Sequence, residues 1–248
     1  MANTTQFCFR RIEKKYFISP AQMEALLGEM RRHMTADRYG EYAIGNIYCD
    51  TENYRLIRAS LEKPAYKEKL RLRSYGVPTA EDKIFVELKK KCGGMVYKRR
   101  VTAPLPQAAH FLRTDTAPAE WGQIGQELQW FQRFYETVPR MFIGYDRTAW
   151  AGTEEPELRI TFDRNIRWRT DRLTLDAGND GKLLFPEDQI LMEVKIPGAC
   201  PLWLCRSLSA LRIYPTSFSK YGACYKAMCE ENEPIVLTNY SKEAHRCA

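Results

Sequence analysis

A chain of 248 residues with 44% apolar side chains can bury a substantial core, as one large β-rich domain or two small ones, and no composition shift marks a linker. Its 38 Lys and Arg against 31 Asp and Glu leave a formal charge of +7, which favours an anionic partner without naming one. No apolar run approaches the ~20 residues of a membrane span, no export leader is visible, and 8 scattered cysteines with 3 histidines show no zinc spacing, so the expectation is a soluble, cytoplasmic protein with reduced thiols.

The first strand carries Glu13 and Lys15 on one face. Ser19 and Pro20 then supply an N-cap and a first-turn proline, and Met23, Leu26, Leu27, Met30 and Met34 follow helical spacing. Residues 42–50 read as a second strand, with a short helical piece over 54–61. Strands at 66–75, 83–91 and 96–102 are joined by turn signals at Gly76 to Pro78 and Cys92 to Gly94, short enough for antiparallel pairing. Residues 104–136 turn helical, and the stripe of Ile124, Leu128, Phe131, Phe134 and Tyr135 reads as packing rather than a cofactor box. Strands return at 140–151, 156–168 and 189–196, with a short one near 171–176. Helices over 200–212 and 217–229 close a single domain spanning 1–230, and a polar tail follows over 231–248.

Side chains at i and i+2 share a strand face. By that rule Lys67, Lys69, Arg71 and Arg73 stand together opposite Leu70 and Leu72, and Glu87 and Lys89 alternate with Ile84, Val86 and Leu88. Glu193 and Lys195 alternate with Met192 and Val194; Lys98 with Arg100 and Tyr145 with Arg147 are weaker instances. The most regular run, 157–167, sets Arg159 and Asp163 on its polar face. Such strands fit an open sheet with its charged face in water, or a sheet closed around a shared lumen. A solvated face usually mixes both signs, whereas here several neighbouring strands each offer two or three cations. Enclosed charge is costly unless compensated, so a closed lumen must hold water, carboxylates and a polyanion. The expected fold is therefore α+β: a closed antiparallel β-barrel forming a phosphate tunnel, with helices packed on its outer face. An outer-membrane barrel shares the polar-in, apolar-out pattern but carries an export signal and lacks amphipathic helices between strands.

Phosphoryl transfer needs cations around phosphate oxygens, a divalent metal and in-line positioning. Arg71 and Arg73 can grip phosphates bidentately, while Lys15, Lys69, Lys89, Lys98 and Lys195 act as point charges. Glu193 is the preferred ligand for Mg or Mn, with Glu13 and Glu87 as further candidates. There is no P-loop, no kinase catalytic loop and no Ser-His-Asp set. Nor do the basic strands show the aromatic interleaving of a single-strand nucleic-acid platform, so no nucleic-acid partner is expected.

In chain order, Glu13-Lys14-Lys15-Tyr16-Phe17, Tyr48-Cys49-Asp50-Thr51, Lys69-Leu70-Arg71-Leu72-Arg73, Phe85-Val86-Glu87-Leu88-Lys89, Tyr145-Asp146-Arg147, Arg159-Ile160-Thr161-Phe162-Asp163, Met192-Glu193-Val194-Lys195 and Phe218-Ser219-Lys220-Tyr221 form one set. Together, over residues 8–229, they resemble the catalytic domain of the vacuolar transporter chaperone (VTC) polyphosphate polymerases, within the triphosphate tunnel metalloenzyme or CYTH-like superfamily. That resemblance implies a tunnel binding a triphosphate and a divalent cation, and transfer of the ATP γ-phosphate to a growing polyphosphate with release of ADP. It implies phosphate binding by Lys15, Arg71, Arg73, Lys89, Lys98, Arg147 and Lys220, of which Arg71, Arg73, Lys89, Arg147 and Lys220 form the catalytic set. Tyr145 and Ser219 add hydrogen bonds and Glu193 holds the metal; Lys69, Arg100, Arg159 and Lys195 join from strand parity. The stretch Arg11 to Lys15 lacks the first carboxylate of the superfamily's E-x-E-x-K signature, which favours the polymerase branch over a two-metal hydrolase. Hydrolysis of an inorganic or organic triphosphate in the same tunnel stays open, as does a non-catalytic polyphosphate-binding subunit. Any membrane association is expected to come through a separate subunit.

Overall fold

The computed structural model describes residues 12–93 and 95–232. Arg11, Gly94 and the tail beyond Asn232 lie outside the described residues. Among the described residues nine strands form one antiparallel sheet: β1 (Ile12–Ile18), β2 (Met34–Asp50), β3 (Tyr66–Tyr75), β4 (Lys83–Cys92), β5 (Met95–Pro104), β6 (Val138–Gly152), β7 (Arg159–Arg169), β8 (Lys182–Leu183) and β9 (Ile190–Ile196). Their order is β1-β9-β7-β6-β2-β3-β4-β5, with β8 paired to β7. The helices are α1 (Pro20–Met30), α2 (Arg55–Leu61), α3 (Leu105–Thr114), α4 (Gly122–Tyr135), α5 (Leu202–Ala210) and α6 (Lys220–Asn232).

Strand parity sorts the apolar side chains onto three packing surfaces. Tyr16, Ile160, Phe162, Met192 and Val194 face outward under α1 and α5, where Leu26, Met30 and Leu204 are buried against them. Ile47, Leu70, Leu72, Val86 and Leu88 face outward under α3 and α4, meeting Phe111, Leu128 and Phe131. Each such side chain stabilises by about 1.5 to 3 kcal/mol on burial, so these two layers fix which face of every strand points inward. α1 begins as expected: Ser19 Oγ accepts from Gln22 N at 3.2 Å, Gln22 Oε1 accepts from Ser19 N at 3.0 Å, and Pro20 occupies the first turn.

The third surface departs from the sequence expectation. Ile44, Tyr48, Met141, Ile143 and Tyr145 project from the opposite, concave face of β2 and β6, and they pack on Tyr221 and Cys224 of α6 and Ile57 of α2. One helix thus fills part of the concave side instead of covering the outside. Asp50 pins it there. Its carboxylate accepts from Leu56 N at 2.8 Å, from Ile57 N at 3.0 Å and from Tyr221 Oη at 2.9 Å, tying the first turn of α2 to α6.

A closed barrel is not shown, because hydrogen bonds leave the sheet open between its end strands β1 and β5. The free edge of β1 is taken instead by the segment entering α6: Thr216 N donates to Lys15 O at 2.7 Å. From the concave side Lys15 Nζ donates to Phe218 O at 3.0 Å and Lys69 Nζ to Ser219 Oγ at 3.1 Å. Residues 216–219 therefore bridge β1 and β3, which share no ladder in the sheet.

Three local expectations are corrected. The α1 spacing carried through Met34, but the helix stops at Met30 and Met34 opens β2 while staying in the same core. The short strand expected near 171–176 is a run of turns and bends; the short strand that follows it, Lys182 and Leu183, pairs with β7. The alternation over 157–167 is interrupted at Asn165, whose φ of 49° marks a bulge where β7 places an extra residue opposite Tyr145. Asp163 before the bulge points inward and bonds Arg147, while Arg167 after it pairs with Asp146 at 2.9 Å on the outer face. Ile166 and Trp168 take over the concave side.

Candidate phosphate-binding tunnel

The inward side chains form two charged constellations that meet at Tyr145. The first is built on β6, β7, β9, β1 and α6. Arg147 grips Asp163 with two bonds, Nε to Oδ1 at 2.6 Å and Nη2 to Oδ2 at 2.7 Å, and also reaches Glu193 Oε2 at 3.4 Å. Lys220 Nζ stands 2.5 Å from Asp163 Oδ2 and 3.1 Å from Glu193 Oε1. Lys15 Nζ lies 3.7 Å from Glu193 and 3.5 Å from Glu13. Burial opposes ionisation of Glu193, yet Lys220, Lys15 and Arg147 outweigh it and hold the carboxyl well below the usual range. Burial likewise opposes the Lys220 charge, and Asp163 and Glu193 raise its pKa nonetheless.

The second constellation is built on β3, β4 and β5. Glu87 is 1% exposed and accepts from Arg71 Nε at 2.8 Å, while Arg71 Nη2 lies 2.7 Å, Lys98 Nζ 2.5 Å and Arg73 Nε 3.9 Å from its oxygens. Asn46 Oδ1 accepts from Arg73 Nε at 3.0 Å, and Tyr48 Oη accepts from Arg71 Nη1 at 3.2 Å. Both guanidinium groups are therefore pre-oriented before any ligand arrives. Arg73 Nη2 then reaches Tyr145 Oη at 3.4 Å, linking the two sets. Burial raises the Tyr145 pKa, but Arg73, Arg147 and Lys220 bring it below its ordinary value.

Glu87 also yields a stability prediction. Burial pushes its pKa up, and Arg71, Arg73 and Lys98 overcome this to hold it at about 2, against 4.5 for an ordinary glutamate. A depressed carboxyl contributes stability above its unfolded value and loses it as pH falls through the folded one. Across pH 4.5 to 2 the wild type should therefore lose about 3 kcal/mol more than Glu87→Gln in denaturant-midpoint titrations. Equal acid slopes in the two proteins would show that Glu87 is not clamped.

The structure gathers Lys15, Lys69, Arg71, Arg73, Lys89, Lys98, Tyr145, Arg147, Glu193, Ser219 and Lys220 on the concave side, where cations outnumber carboxylates. Of the candidates from strand parity, Arg159 and Lys195 lie toward the ends of their strands, whereas Arg100 sits mid-strand on β5, in register with Glu87. Arg159 is exposed and pairs in register with Lys195, itself opposite Glu13, one row beyond Lys15 and Glu193. Arg100 is exposed and covers the Phe85 ring at 4.7 Å. Sequence reasoning gave no site role to Asp163, the counter-ion shared by Arg147 and Lys220, or to Asn46 and Tyr48. The i, i+2 spacing of Asn46 and Tyr48 within strand 42–50 was the available signal.

A divalent cation was expected on Glu193, Glu13 or Glu87. Among the described residues no group of three or more His, Cys, Asp or Glu side chains converges on a metal position. Glu193 nevertheless fits a hard cation that takes most of its oxygens from phosphate, since its side chain is 12% exposed and its ion-pair partners Lys15, Arg147 and Lys220 are groups that a bound polyanion would also engage. Glu87, enclosed by Arg71, Arg73 and Lys98, offers no comparable access. Glu13 is one-third exposed and touches Lys15 alone among the described ion pairs.

No helix among the described residues is long and apolar enough to cross a membrane. Among solved structures, a candidate adenylate cyclase from Bacillus halodurans is 13% identical, with a TM-score of 0.51 over 84% of this chain and 93% of that one. HpAC1 from Hippeastrum, a candidate adenylyl cyclase with a dominant triphosphatase activity, is 14% identical, with a TM-score of 0.52 over 88% and 96%. At such identities the likeness is one of fold alone. No curated protein sequence matches the chain. The family model of the VTC domain matches residues 10–229, spanning both charged constellations and the segment that bridges β1 and β3, and the chain belongs to the VTC domain family.

Proposed function

We propose that this protein is a metal-dependent phosphoryl transferase that extends polyphosphate, taking the γ-phosphoryl group of ATP inside the tunnel. The observation that carries this reading is the convergence of Arg71, Arg73, Arg147 and Lys220 from three separate elements on one concave space with surplus positive charge. Membership of the VTC domain family supports it. In the proposed reaction the bond between the γ-phosphorus and its bridging oxygen breaks, a terminal oxygen of the acceptor chain bonds to that phosphorus, and ADP departs. Arg71 and Arg73 grip adjacent phosphates, fixed in aim by Asn46 and Tyr48, so that donor and acceptor meet in line. Arg147 and Lys220 neutralise charge on the transferred group, with Asp163 keeping both in place. Lys15, Lys89 and Lys98 offset the remaining phosphate charge, and Tyr145 and Ser219 supply hydroxyls. Mg or Mn held by Glu193 together with phosphate oxygens would add Lewis-acid charge neutralisation.

Hydrolysis of a triphosphate is the second reading, with water as acceptor; the Hippeastrum protein of the same fold has a dominant triphosphatase activity. Purified protein incubated with ATP and Mn or Mg distinguishes them. The proposed polymerase yields long polyphosphate on gels, a hydrolase orthophosphate alone, and a non-catalytic subunit neither. Orthophosphate alone would overturn the transferase reading.

A further inference from the structure

Across β3, β4 and β5, Lys69, Lys89 and Lys98 stand opposite one another in register. Like charges facing each other across strands repel. Lys98 is relieved by Glu87 at 2.5 Å, whereas Lys69 makes no ion pair with a carboxylate among the described residues. Its partner is the Ser219 hydroxyl at 3.1 Å, with the Tyr221 ring centre 5.9 Å away, both on the segment leading into and starting α6. A serine hydroxyl accepts from an ammonium and donates to a neutral amine, so this contact survives either protonation state.

The groups around Lys69 are of one sign. Lys67 and Arg71 flank it on its own strand, Lys15 faces it from β1, and Lys89 faces it from β4. The carboxylates of this region are already committed: Glu87 to Arg71 and Lys98, Glu13 to Lys15, and Glu193 to Lys15, Lys220 and Arg147. On the β2 side, Tyr48 is engaged by Arg71.

We propose that Lys69 is a proton-linked seat for the phosphate chain, neutral in the free tunnel at mildly alkaline pH and protonated when a polyphosphate or nucleoside triphosphate binds. This rests on the phosphate-tunnel reading and adds a regulator to it. Burial, together with Lys67, Lys15, Lys89 and Arg71, pushes the amine down to about 7. A bound polyanion reverses the sign of its surroundings and restores the ammonium. Below pH 7 the charge is present before and after binding, and affinity is insensitive to pH through this group. Above it, each binding event draws in a proton, and affinity falls by up to about tenfold per pH unit until the bound-state pKa is reached.

Calorimetric titration with tripolyphosphate in EDTA, in buffers of different ionisation enthalpy, measures both affinity and proton uptake. The terminal phosphate of the ligand titrates equally against every variant, so differences between proteins isolate Lys69. At pH 8 the wild type should take up close to one proton more than Lys69→Arg, and its affinity should fall about fivefold more between pH 7 and 8. Lys69→Gln should show the same flattened profile at lower affinity, and it carries the comparison if arginine does not fit. Parallel profiles and equal proton numbers, with binding intact, would overturn the role of Lys69 alone. Absence of tripolyphosphate binding by the wild type would overturn the tunnel reading and this inference with it.

Discussion

Replacing Glu193 with alanine is expected to lower metal-dependent turnover at least about a hundredfold while leaving tripolyphosphate binding in EDTA undiminished. A divalent ion supplies several kcal/mol of charge stabilisation during transfer, and every 1.36 kcal/mol is tenfold in rate. Glu193, which has side-chain access to the lumen, is the carboxylate that Lys15, Arg147 and Lys220 all share, whereas Asp163 is fully buried beneath Arg147 and Lys220 and Glu13 pairs with Lys15 alone among the described ion pairs. Removing it deprives Lys15, Lys220 and Arg147 of one counter-ion, so attraction for a polyanion rises rather than falls. The scaffold should hold because Asp163 still pairs with both Arg147 and Lys220. Glu193→Gln, which keeps the shape without the charge, should behave alike. Mn occupancy followed by electron paramagnetic resonance, with tripolyphosphate present, gives a readout independent of turnover. Full activity and unchanged Mn binding would contradict the assignment of Glu193; lost tripolyphosphate binding would mean that it serves to position the cations.

Much of this site was legible because strand parity is a local property. Lys69, Arg71 and Arg73 had to share a face opposite Leu70 and Leu72, and the cores under α3 and α4 bury that apolar face, so the cations point inward. What parity could not supply was the partner of each charge. Glu87 and Glu193 both alternate with apolar residues in the same way, yet cross-strand register sets Glu87 opposite Arg71 and Arg100 and Glu193 opposite Lys15 and Thr161. One carboxylate becomes a sealed counter-ion and the other stays reachable. Asn165 was illegible for a related reason: a single residue at positive φ shifts the phase of β7, and nothing in the alternation of 157–167 announced it. The placement of α6 was hidden as well, because a helix with apolar residues can cover an outer face or enter a concave one. Lys220 and Tyr221 at its start decide the matter through contacts to Asp163, Glu193 and Asp50, all distant in sequence.

The double variant Arg71→Ala with Arg73→Ala should weaken tripolyphosphate binding by about a hundredfold or more. Each lost charge-assisted contact costs about 1.5 to 3 kcal/mol, and tenfold corresponds to about 1.4 kcal/mol. The same change removes two of the three cations around Glu87, leaving a nearly inaccessible carboxylate with Lys98 as its remaining ion-pair partner. Breaking a buried pair from one side costs about 3 to 5 kcal/mol, so the double variant should also be less stable, and reduced binding alone would be ambiguous. Adding Glu87→Gln resolves this. The triple variant no longer carries the stranded charge and should recover a large part of the lost stability, while binding stays impaired because the guanidinium groups are still missing. Denaturant midpoints and calorimetric affinities on the same samples separate the two effects. If the triple variant recovers affinity along with stability, Arg71 and Arg73 serve the fold through Glu87 and the phosphate grip lies elsewhere, on Arg147 and Lys220.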